Sequence, residues 1–201
     1  MNLFKRCALL YLLTGLILLM AGCSSSPSNS SSNDQNPGNG DDMEMNDEDN
    51  EMNEDREPAP DFTYTSLSGN EYTLSELEGK VVYLFFFGAS CPHCRDNGPA
   101  TQTTIYGPYQ SNQNFVALGL DTWNESASNV EAFKEVTGIT YPLLLNAKES
   151  LVDYYGDASK YDRSVVVDAN GNIAYKGTEW VNEDAEEVAD VIGRELGNIT
   201  Q

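Results

Sequence analysis

The sequence predicts an α/β fold in which helices flank a central mixed β-sheet, and two observations support this class. Residues 81–87 are seven consecutive apolar or aromatic residues, which is typical of a central strand covered on both faces. Further short apolar runs alternate with helical patterns along the rest of the chain. The length of 201 residues suits one ordinary domain with appendages. We place this domain at residues 61–201.

The elements before residue 81 predict a small N-terminal hairpin and a helical turn. Residues 62–65 and 71–73 are rich in aromatic and β-branched side chains, and they flank a turn at residues 68–70. Residues 74–80 predict a single helical turn that ends at Gly79. These elements lead directly into the buried strand.

The elements after residue 90 alternate between helices and strands. Strands are predicted at residues 115–120, 141–145, 164–167 and 173–176, and helices are predicted from residue 91, at 127–137, at 149–155 and at 183–196. Asn170-Gly171 lies between the last two strands and indicates a hairpin.

Charge and histidine content exclude several function classes. The chain has 11 Lys plus Arg against 32 Asp plus Glu, which gives a formal net charge of −21. Binding to nucleic acid or to anionic lipid head groups would need a basic patch that this balance does not easily supply. Because His93 is the only histidine, multi-histidine zinc sites, two-histidine copper sites and a Ser-His-Asp hydrolase built on any other position are excluded. We therefore expect no metal cofactor.

Residues 1–22 predict a secretion signal. A basic pair at residues 5–6 precedes an apolar run at residues 9–19, and small residues then lead to Cys23. The ending Met20-Ala21-Gly22-Cys23 resembles the lipobox of bacterial lipoproteins, in which the cysteine is acylated and the signal is cut before it. An ordinary signal peptide and an uncleaved anchor are the alternatives. The resemblance implies a protein that acyl chains on Cys23 hold on a bacterial membrane, either the cell membrane or the outer membrane.

Residues 23–60 predict a lipidated cysteine followed by a disordered acidic linker. Small, polar and acidic residues dominate, so the segment cannot bury enough surface to repay the entropy lost on ordering. The segment does not follow the Asp-x-Asp-x-Asp-Gly register of a calcium loop, which favours a tether over a calcium site. Signal, anchor and tether together predict an extracytoplasmic domain.

The motif Cys91-Pro92-His93-Cys94 follows the buried strand and carries the predicted chemistry. A cysteine at the first turn of a helix faces unpaired backbone N–H groups and the positive end of the helix dipole, which lowers its pKa. Pro92 suits the first helical position, Cys94 returns to the same helical face, and a protonated His93 stabilises the thiolate. We expect redox chemistry in which Cys91 attacks and Cys94 resolves the mixed disulfide.

Other uses of a Cys-x-x-Cys pair fit these residues less well. Zinc would need two more ligands, and the mature chain has only Cys23 as a further cysteine. Haem attachment would place a histidine directly after the second cysteine, where Arg95 stands. A structural bridge across so short a loop would constrain little of the unfolded chain.

The domain resembles membrane-anchored thiol-disulfide oxidoreductases of the TlpA/ResA kind, in the redoxin and AhpC/TSA branch of the thioredoxin-like fold. The resemblance runs from residues 58–62 through 74–80, the buried strand and the cysteine motif to residues 168–171 and the last helix. Pro99 matches the proline that kinks the active-site helix of thioredoxins. Residues 133–145 look like the helix and strand that this branch inserts into the fold.

The resemblance implies that a monomer exchanges disulfides with extracytoplasmic protein thiols and with a redox-partner protein. This exchange is expected to require no bound cofactor, because the cysteine pair holds the electrons. The direction of transfer stays open. Pro92-His93 resembles the dipeptide of Dsb-type oxidants, whereas the surrounding domain resembles reductases used in cytochrome c maturation.

Three positions depart from the family pattern. Ser90 replaces the tryptophan usual before the first cysteine, and Asn97 stands where ResA-type reductases often carry glutamate. The family's cis-proline falls on Asp162, Arg163 or Ser164, where a cis peptide bond would be costly, so we expect a trans bond. We hypothesise that Asp162 or Arg163 contacts the active site instead.

Three alternative functions stay open for this fold. A peroxiredoxin needs Thr or Ser three residues before its peroxidatic cysteine and Pro seven residues before it, where this chain has Gly88 and Leu84. A Sco-type copper chaperone needs a wider cysteine spacing and a distal histidine. An interaction lipoprotein would keep the fold without turnover.

Overall fold

A five-stranded mixed β-sheet forms the centre of the structure, a computed structural model that describes residues 56–199. The predicted signal at residues 1–22, the predicted lipidation site Cys23 and the linker up to residue 55 lie outside the described residues. The strands are β1 (Thr63–Thr65), β2 (Glu71–Thr73), β3 (Val81–Phe87), β4 (Phe115–Asp121), β5 (Leu143–Leu144), β6 (Arg163–Val167) and β7 (Ile173–Lys176). The helices are α1 (Pro92–Ala100), α2 (Ala127–Thr137), α3 (Lys148–Tyr155) and α4 (Ala185–Ile199).

The strands of the sheet follow the order β5-β4-β3-β6-β7. Strands β3, β4 and β5 run parallel, β6 pairs antiparallel with β3, and β7 pairs antiparallel with β6. Strands β1 and β2 form a separate antiparallel hairpin, followed by a short 3-10 helix at Leu74–Leu77. The predicted α/β class, with a central mixed sheet and an N-terminal hairpin, is therefore confirmed.

Strand β3 separates two hydrophobic cores, because successive side chains of a strand point to opposite faces of the sheet. Tyr83, Phe85 and Phe87 pack with side chains of α1, α2 and α4 on one face. Leu84 and Phe86 pack with side chains of α3 and the N-terminal hairpin on the other. All seven residues of β3 are buried, as predicted for a central strand. The loop that follows β3 therefore starts from a rigid, filled interior.

Strand β5 is shorter than predicted. The expected strand at residues 141–145 is reduced to Leu143–Leu144, which pairs with β4. Pro142 has no N–H to donate to a ladder, although its carbonyl accepts a hydrogen bond from the Gly119 N–H at 2.9 Å. Leu145 leaves the sheet, and its N–H donates at 2.9 Å to the Thr65 carbonyl of the hairpin.

Residues 56–60, which the sequence assigns to the linker, pack on the domain. The Arg56 guanidinium donates to Asp168 Oδ2 at 3.0 Å and to Glu195 Oε1 at 2.8 Å. The Ala59 N–H donates to the Gly171 carbonyl at 2.9 Å. The ordered region therefore extends before residue 61, because these backbone and charged groups find partners on α4 and in the β6–β7 turn.

Within residues 56–199, no helix combines the length and the apolar character that crossing a membrane requires.

Candidate active site

The cysteine motif lies where β3 ends and α1 begins. Cys91 precedes the helix with extended backbone angles (φ −69°, ψ 121°), and Pro92 is the first helical residue. The Cys94 N–H donates a hydrogen bond to the Cys91 Sγ atom at 3.2 Å. Both cysteines are free thiols in this structure. The helix thus begins one residue later than predicted, and Cys91 occupies the N-cap position, where its sulfur accepts from an otherwise unpaired N–H group.

The two thiols differ in acidity. The pKa of Cys91 is lowered to about 7, chiefly because the Cys94 thiol donates a hydrogen bond to it, with further help from the Cys94 and His93 N–H groups. Burial and the negative charge of Asp162 oppose this shift. The pKa of Cys94 is raised, first because its proton is held by the Cys91 sulfur and then because of burial. The Cys91 thiol is therefore the more acidic of the pair, and Cys94 is the one that holds its proton more tightly.

Both cysteines are more buried than the sequence suggests. Although Cys91 lies at the start of the helix, it is only 1% exposed, and Cys94 is 0% exposed. Both belong to the hydrophobic core that also contains Phe87. Pro92 and His93 between them are exposed. Cys91 therefore presents almost no surface to a partner sulfur in this structure.

The His93 side chain lies against Trp180. The two rings stack with centroids 5.1 Å apart and an interplanar angle of 26°. The Arg163 guanidinium also lies over the Trp180 ring, 4.5 Å from its centroid. His93 thus acts on Cys91 through its backbone N–H, while its ring belongs to an aromatic and cationic patch beside the motif.

Pro99 lies inside α1, one turn after the motif. Because Pro99 has no N–H, the helix loses one hydrogen bond, and the chain continues after Ala100 into a wider π-type turn at Thr101–Tyr106. The Thr101 hydroxyl donates to the Gly98 carbonyl at 2.6 Å, and the Thr103 hydroxyl donates to the Pro99 carbonyl at 2.9 Å. Pro99 therefore stands where α1 changes its winding.

The three residues at the family's cis-proline position have different surroundings. The described residues contain no cis peptide bond. Asp162 is 0% exposed, and its Oδ2 atom accepts from Asn97 Nδ2 of α1 at 2.7 Å. Arg163 opens β6 beside Trp180, and the buried Ser164 hydroxyl lies 3.3 Å from the Tyr83 hydroxyl. Asp162 is thus the member of the three that bonds to the helix of the motif.

The loop after β4 supplies contacts that sequence reasoning missed. Glu125 accepts from the Ser90 N–H at 2.6 Å and from the Ser90 hydroxyl at 2.5 Å. The Trp123 indole covers Gly88 so closely that a β-carbon on Gly88 would lie 2.4 Å from a ring atom. Trp123 itself is 39% exposed and meets the Tyr161 ring edge-to-face at 5.0 Å. Nothing in the sequence around Gly88 and Ser90 indicates that their partners, Trp123 and Glu125, lie 35 residues further along the chain.

These features define a class of protein. A Cys-x-x-Cys pair begins the helix that follows the central strand of a mixed sheet with the order β5-β4-β3-β6-β7, which is the arrangement of a thioredoxin-like domain. Residues 56–176 match the AhpC/TSA family, which is more than half of the chain. The chain belongs to this family.

Individual relatives carry related names. The chain is 31% identical over 115 residues to the thiol-disulfide oxidoreductase ResA of Geobacillus thermodenitrificans, a match that covers 57% of this chain and 64% of that protein. A candidate protein disulfide isomerase of Bacteroides thetaiotaomicron, known from its solution structure, is 33% identical with a TM-score of 0.63, covering 70% of this chain and 89% of that one. A thiol:disulfide interchange protein of the thioredoxin family from Chlorobium tepidum TLS is 25% identical with a TM-score of 0.55, covering 71% and 97%.

The similarities confirm the resemblance to TlpA/ResA-like proteins of the thioredoxin fold. The chain nevertheless spans less than two thirds of the length of the ResA relative.

Proposed function

We propose that this protein is a thiol-disulfide oxidoreductase that exchanges disulfides with protein thiols through Cys91 and Cys94. The observation that carries the proposal is the division of labour between the two sulfurs. The pKa of Cys91 is lowered to about 7, so much of it is thiolate at neutral pH, whereas Cys94 retains its proton one helical turn away. The names of the ResA and interchange-protein relatives support the same activity.

The chemistry follows from this division. The Cys91 thiolate attacks one sulfur of a substrate disulfide, forms a mixed disulfide and releases the other sulfur as a thiolate. The Cys94 sulfur then attacks the Cys91 sulfur, which frees the substrate and leaves a Cys91–Cys94 disulfide. A redox-partner protein reverses these steps. The electrons reside on the two sulfurs throughout, so the proposal requires no bound cofactor.

Insulin reduction by dithiothreitol tests the activity. Wild-type protein is expected to accelerate precipitation of the insulin chains, and Cys91→Ser is expected to reduce the rate to that of dithiothreitol alone. Cys94→Ser is expected to trap a mixed disulfide with the substrate, visible by mass spectrometry. Full activity of Cys91→Ser, or no activity of the wild type, would overturn the proposal.

A peroxiredoxin-like antioxidant function is less well supported. Leu84 and Gly88 stand where that chemistry uses proline and a hydroxyl residue. Leu84 is completely buried within β3, and Gly88 lies under the Trp123 indole. Peroxide consumption measured on the reduced protein is expected to be no faster than that of an ordinary thiol. A copper titration tests the copper-chaperone alternative. The insulin assay tests the alternative of an interaction lipoprotein without turnover.

We further propose that the protein is lipid-anchored through Cys23 and faces the extracytoplasmic side of a bacterial membrane as a monomer. The support is the signal-like segment at residues 1–22 and the acidic tether that follows it. Cells fed a labelled fatty acid are expected to label the wild-type protein, whereas Cys23→Ala is expected to stay unlabelled. Labelling that survives this change would contradict the anchor.

The direction of electron transfer depends on the reduction potential of the domain. We propose that the domain is a reductase, as its resemblance to proteins of cytochrome c maturation suggests. A potential near that of thioredoxin, about −270 mV, is the expected result. A value near that of DsbA, about −120 mV, would instead make it an oxidant.

A further inference from the structure

A buried carboxylate oxygen of Asp162, whose side chain bonds to the helix of the cysteine motif, lacks a hydrogen-bond partner. Within residues 56–199, the buried side-chain nitrogen and oxygen atoms that lack a partner are Asp162 Oδ1, Arg163 Nε and Asp184 Oδ1. Arg163 acts electrostatically on both carboxylates. An unpartnered buried carboxylate oxygen destabilises a fold, so its presence at a reactive centre calls for an explanation.

The Asp162 side chain is fixed in place by an unusual backbone. Asp162 has a φ of 57°, in the left-handed region that residues other than glycine rarely adopt. Its N–H donates to the Phe86 carbonyl at 2.7 Å, and its carbonyl accepts from the Val181 N–H at 3.2 Å. These two bonds hold the strained conformation, and strain of this kind is typical of functional sites.

The carboxylate of Asp162 is directed at the helix that carries the cysteines. Asn97, whose amide donates to Asp162 Oδ2, lies one helical turn after Cys94. Cys94 and Asn97 are three residues apart and therefore neighbours on one side of α1, so the carboxylate that accepts from Asn97 lies on the side of the helix that carries Cys94. The negative charge of Asp162 accordingly raises the pKa of both cysteines.

The resolving step creates a need for a proton acceptor. In the reduced protein the Cys94 thiol donates to the Cys91 thiolate. Once Cys91 has formed a mixed disulfide, its sulfur no longer carries that charge, and Cys94, at 0% exposed, has no direct contact with bulk water. The proton of Cys94 must therefore move to another buried group before its sulfur can attack.

We propose, on the basis of the proposed oxidoreductase function, that Asp162 accepts the Cys94 proton in the resolving step and that Asn97 positions its carboxylate. Cys94 loses its proton to the Asp162 carboxylate, and its sulfur attacks Cys91 and forms the Cys91–Cys94 disulfide. The bond between Cys91 and the substrate sulfur breaks. The substrate leaves as a thiolate, having gained the two electrons that the cysteine pair has lost. The proton on Asp162 then passes to the departing thiolate or to solvent.

The pH dependence of this step has a defined sign. The pKa of Asp162 is raised by burial, against the lowering effects of the Asn97 amide, Arg163 and His93, while Glu183 raises it further. Charged and titratable groups face Asp162 from each element around it: His93, Cys91 and Cys94 from the motif, Tyr83 from β3, Arg163 from β6 and Glu183 from the segment before α4. Because the carboxylate is the active form, the resolving step accelerates as pH rises through the pKa of Asp162.

Acid-quenched reaction with glutathione disulfide separates the two steps. Reduced protein forms a Cys91–glutathione adduct first and then loses it as Cys94 resolves it, and mass spectrometry follows both. Asp162→Asn is expected to form the adduct at least as fast as the wild type and to resolve it about 100-fold more slowly at pH 7. Its rate is expected to recover at high pH, where Cys94 loses its proton unaided. Asparagine tolerates the left-handed backbone, so the fold is expected to persist.

Asp184→Asn is the matched control, because Asp184 is also a buried carboxyl with one unpartnered oxygen. It is expected to resolve the adduct at the wild-type rate. Asn97→Ala adds a second readout: loss of the amide hydrogen bond raises the pKa of Asp162, so the acceleration of resolution is expected to move to higher pH.

The outcomes separate this proposal from the proposed function. Failure of the wild type to form either adduct or disulfide would overturn both. Adduct formation with wild-type resolution in Asp162→Asn, or an unchanged pH profile in Asn97→Ala, would overturn the role of Asp162 alone.

Discussion

The two ends of the central strands hold buried charge in different ways, and we call the end where β3 begins the far edge and the end where β3 finishes the motif edge. Val82 of β3 pairs with Val167 of β6, and Phe86 pairs with Arg163, so residues before and after β6 lie at opposite edges. At the far edge, where β3 begins, Arg56 forms ion pairs with Asp168 and Glu195. At the motif edge, where β3 ends, Asp162 and Asp184 are buried and each has an oxygen without a hydrogen-bond partner.

The difference separates stability from function. Burying a charge destabilises a fold unless a partner of opposite charge and hydrogen bonds compensate it. The far edge meets this condition and fixes residues 56–60 to the domain. The motif edge meets it only in part, since each of its two buried carboxyl groups keeps one oxygen without a partner. Of these two groups, Asp162 bonds to Asn97 of α1, whereas Asp184 bonds to Tyr175 of β7. Removing charge is therefore expected to have opposite effects on stability at the two edges.

The largest expected effect lies at the motif edge. Burial raises the pKa of Asp184 to about 6 from an ordinary value of 3.8, so its contribution to stability is present below pH 4 and is lost as pH rises through 6. Asp184→Asn is expected to be more stable than the wild type at pH 8 by up to about 3 kcal/mol, since one pKa unit corresponds to about 1.4 kcal/mol. Urea unfolding at pH 8 and pH 4 measures this. An equal difference at both pH values would contradict the assignment.

The next effect lies at the far edge and has the opposite sign. Arg56→Met leaves Asp168 and Glu195, at 3% and 7% exposed, without their cation. We expect a loss of about 2 kcal/mol in the free energy of unfolding, less than for a fully buried pair because Arg56 is 23% exposed. Insulin reduction per folded molecule is expected to stay unchanged. Arg56→Lys, which keeps the charge, serves as the control. An equal loss of unfolding free energy in that variant would show that the charge of residue 56 does not account for the loss.

A smaller effect is expected where the loop after β4 covers the motif. Gly88→Ala places a β-carbon 2.4 Å from a Trp123 ring atom, so the indole must shift. We expect a loss of about 1 kcal/mol, at the low end for overpacking because Trp123 is 39% exposed and can move outward, with a red shift of its fluorescence. Gly197→Ala in α4 is the control, because a β-carbon there meets nothing within 4 Å. Unchanged stability and fluorescence in Gly88→Ala would show that the contact is not tight.

Much of the fold could be predicted because its signals are local. The apolar run of β3 indicated a central strand, the cysteine motif indicated the start of α1, and Asn170-Gly171 indicated the β6–β7 hairpin. Helix α2 occupies residues 127–137 as predicted, with the Ser126 side chain accepting from the Asn129 N–H at its start and Gly138 at its end. Strand β5 is shorter than predicted, because a run of apolar residues does not reveal which of its N–H groups form hydrogen bonds with a neighbouring strand.

The surroundings of the motif could be predicted only in part, because they depend on contacts between distant parts of the chain. Asn97 and Asp162 are 65 residues apart, and Arg56 and Glu195 are 139 residues apart. A single sequence shows an aspartate without showing whether it is buried or exposed. The missing family proline drew attention to residues 162–164, but the hydrogen bond between Asn97 and Asp162 emerged only from the packing of α1 against the start of β6.

The acidity of Cys91 in the reduced protein tests the central claim most directly. The rate of alkylation by iodoacetamide, followed by peptide mass spectrometry against pH, reports the thiolate fraction of Cys91 in the otherwise intact domain. The account predicts a midpoint near pH 7, with Cys94 unreactive throughout, because the Cys94 thiol and two backbone N–H groups stabilise the Cys91 thiolate. A midpoint near 9, the value of an unperturbed thiol, or preferential alkylation of Cys94 would contradict it.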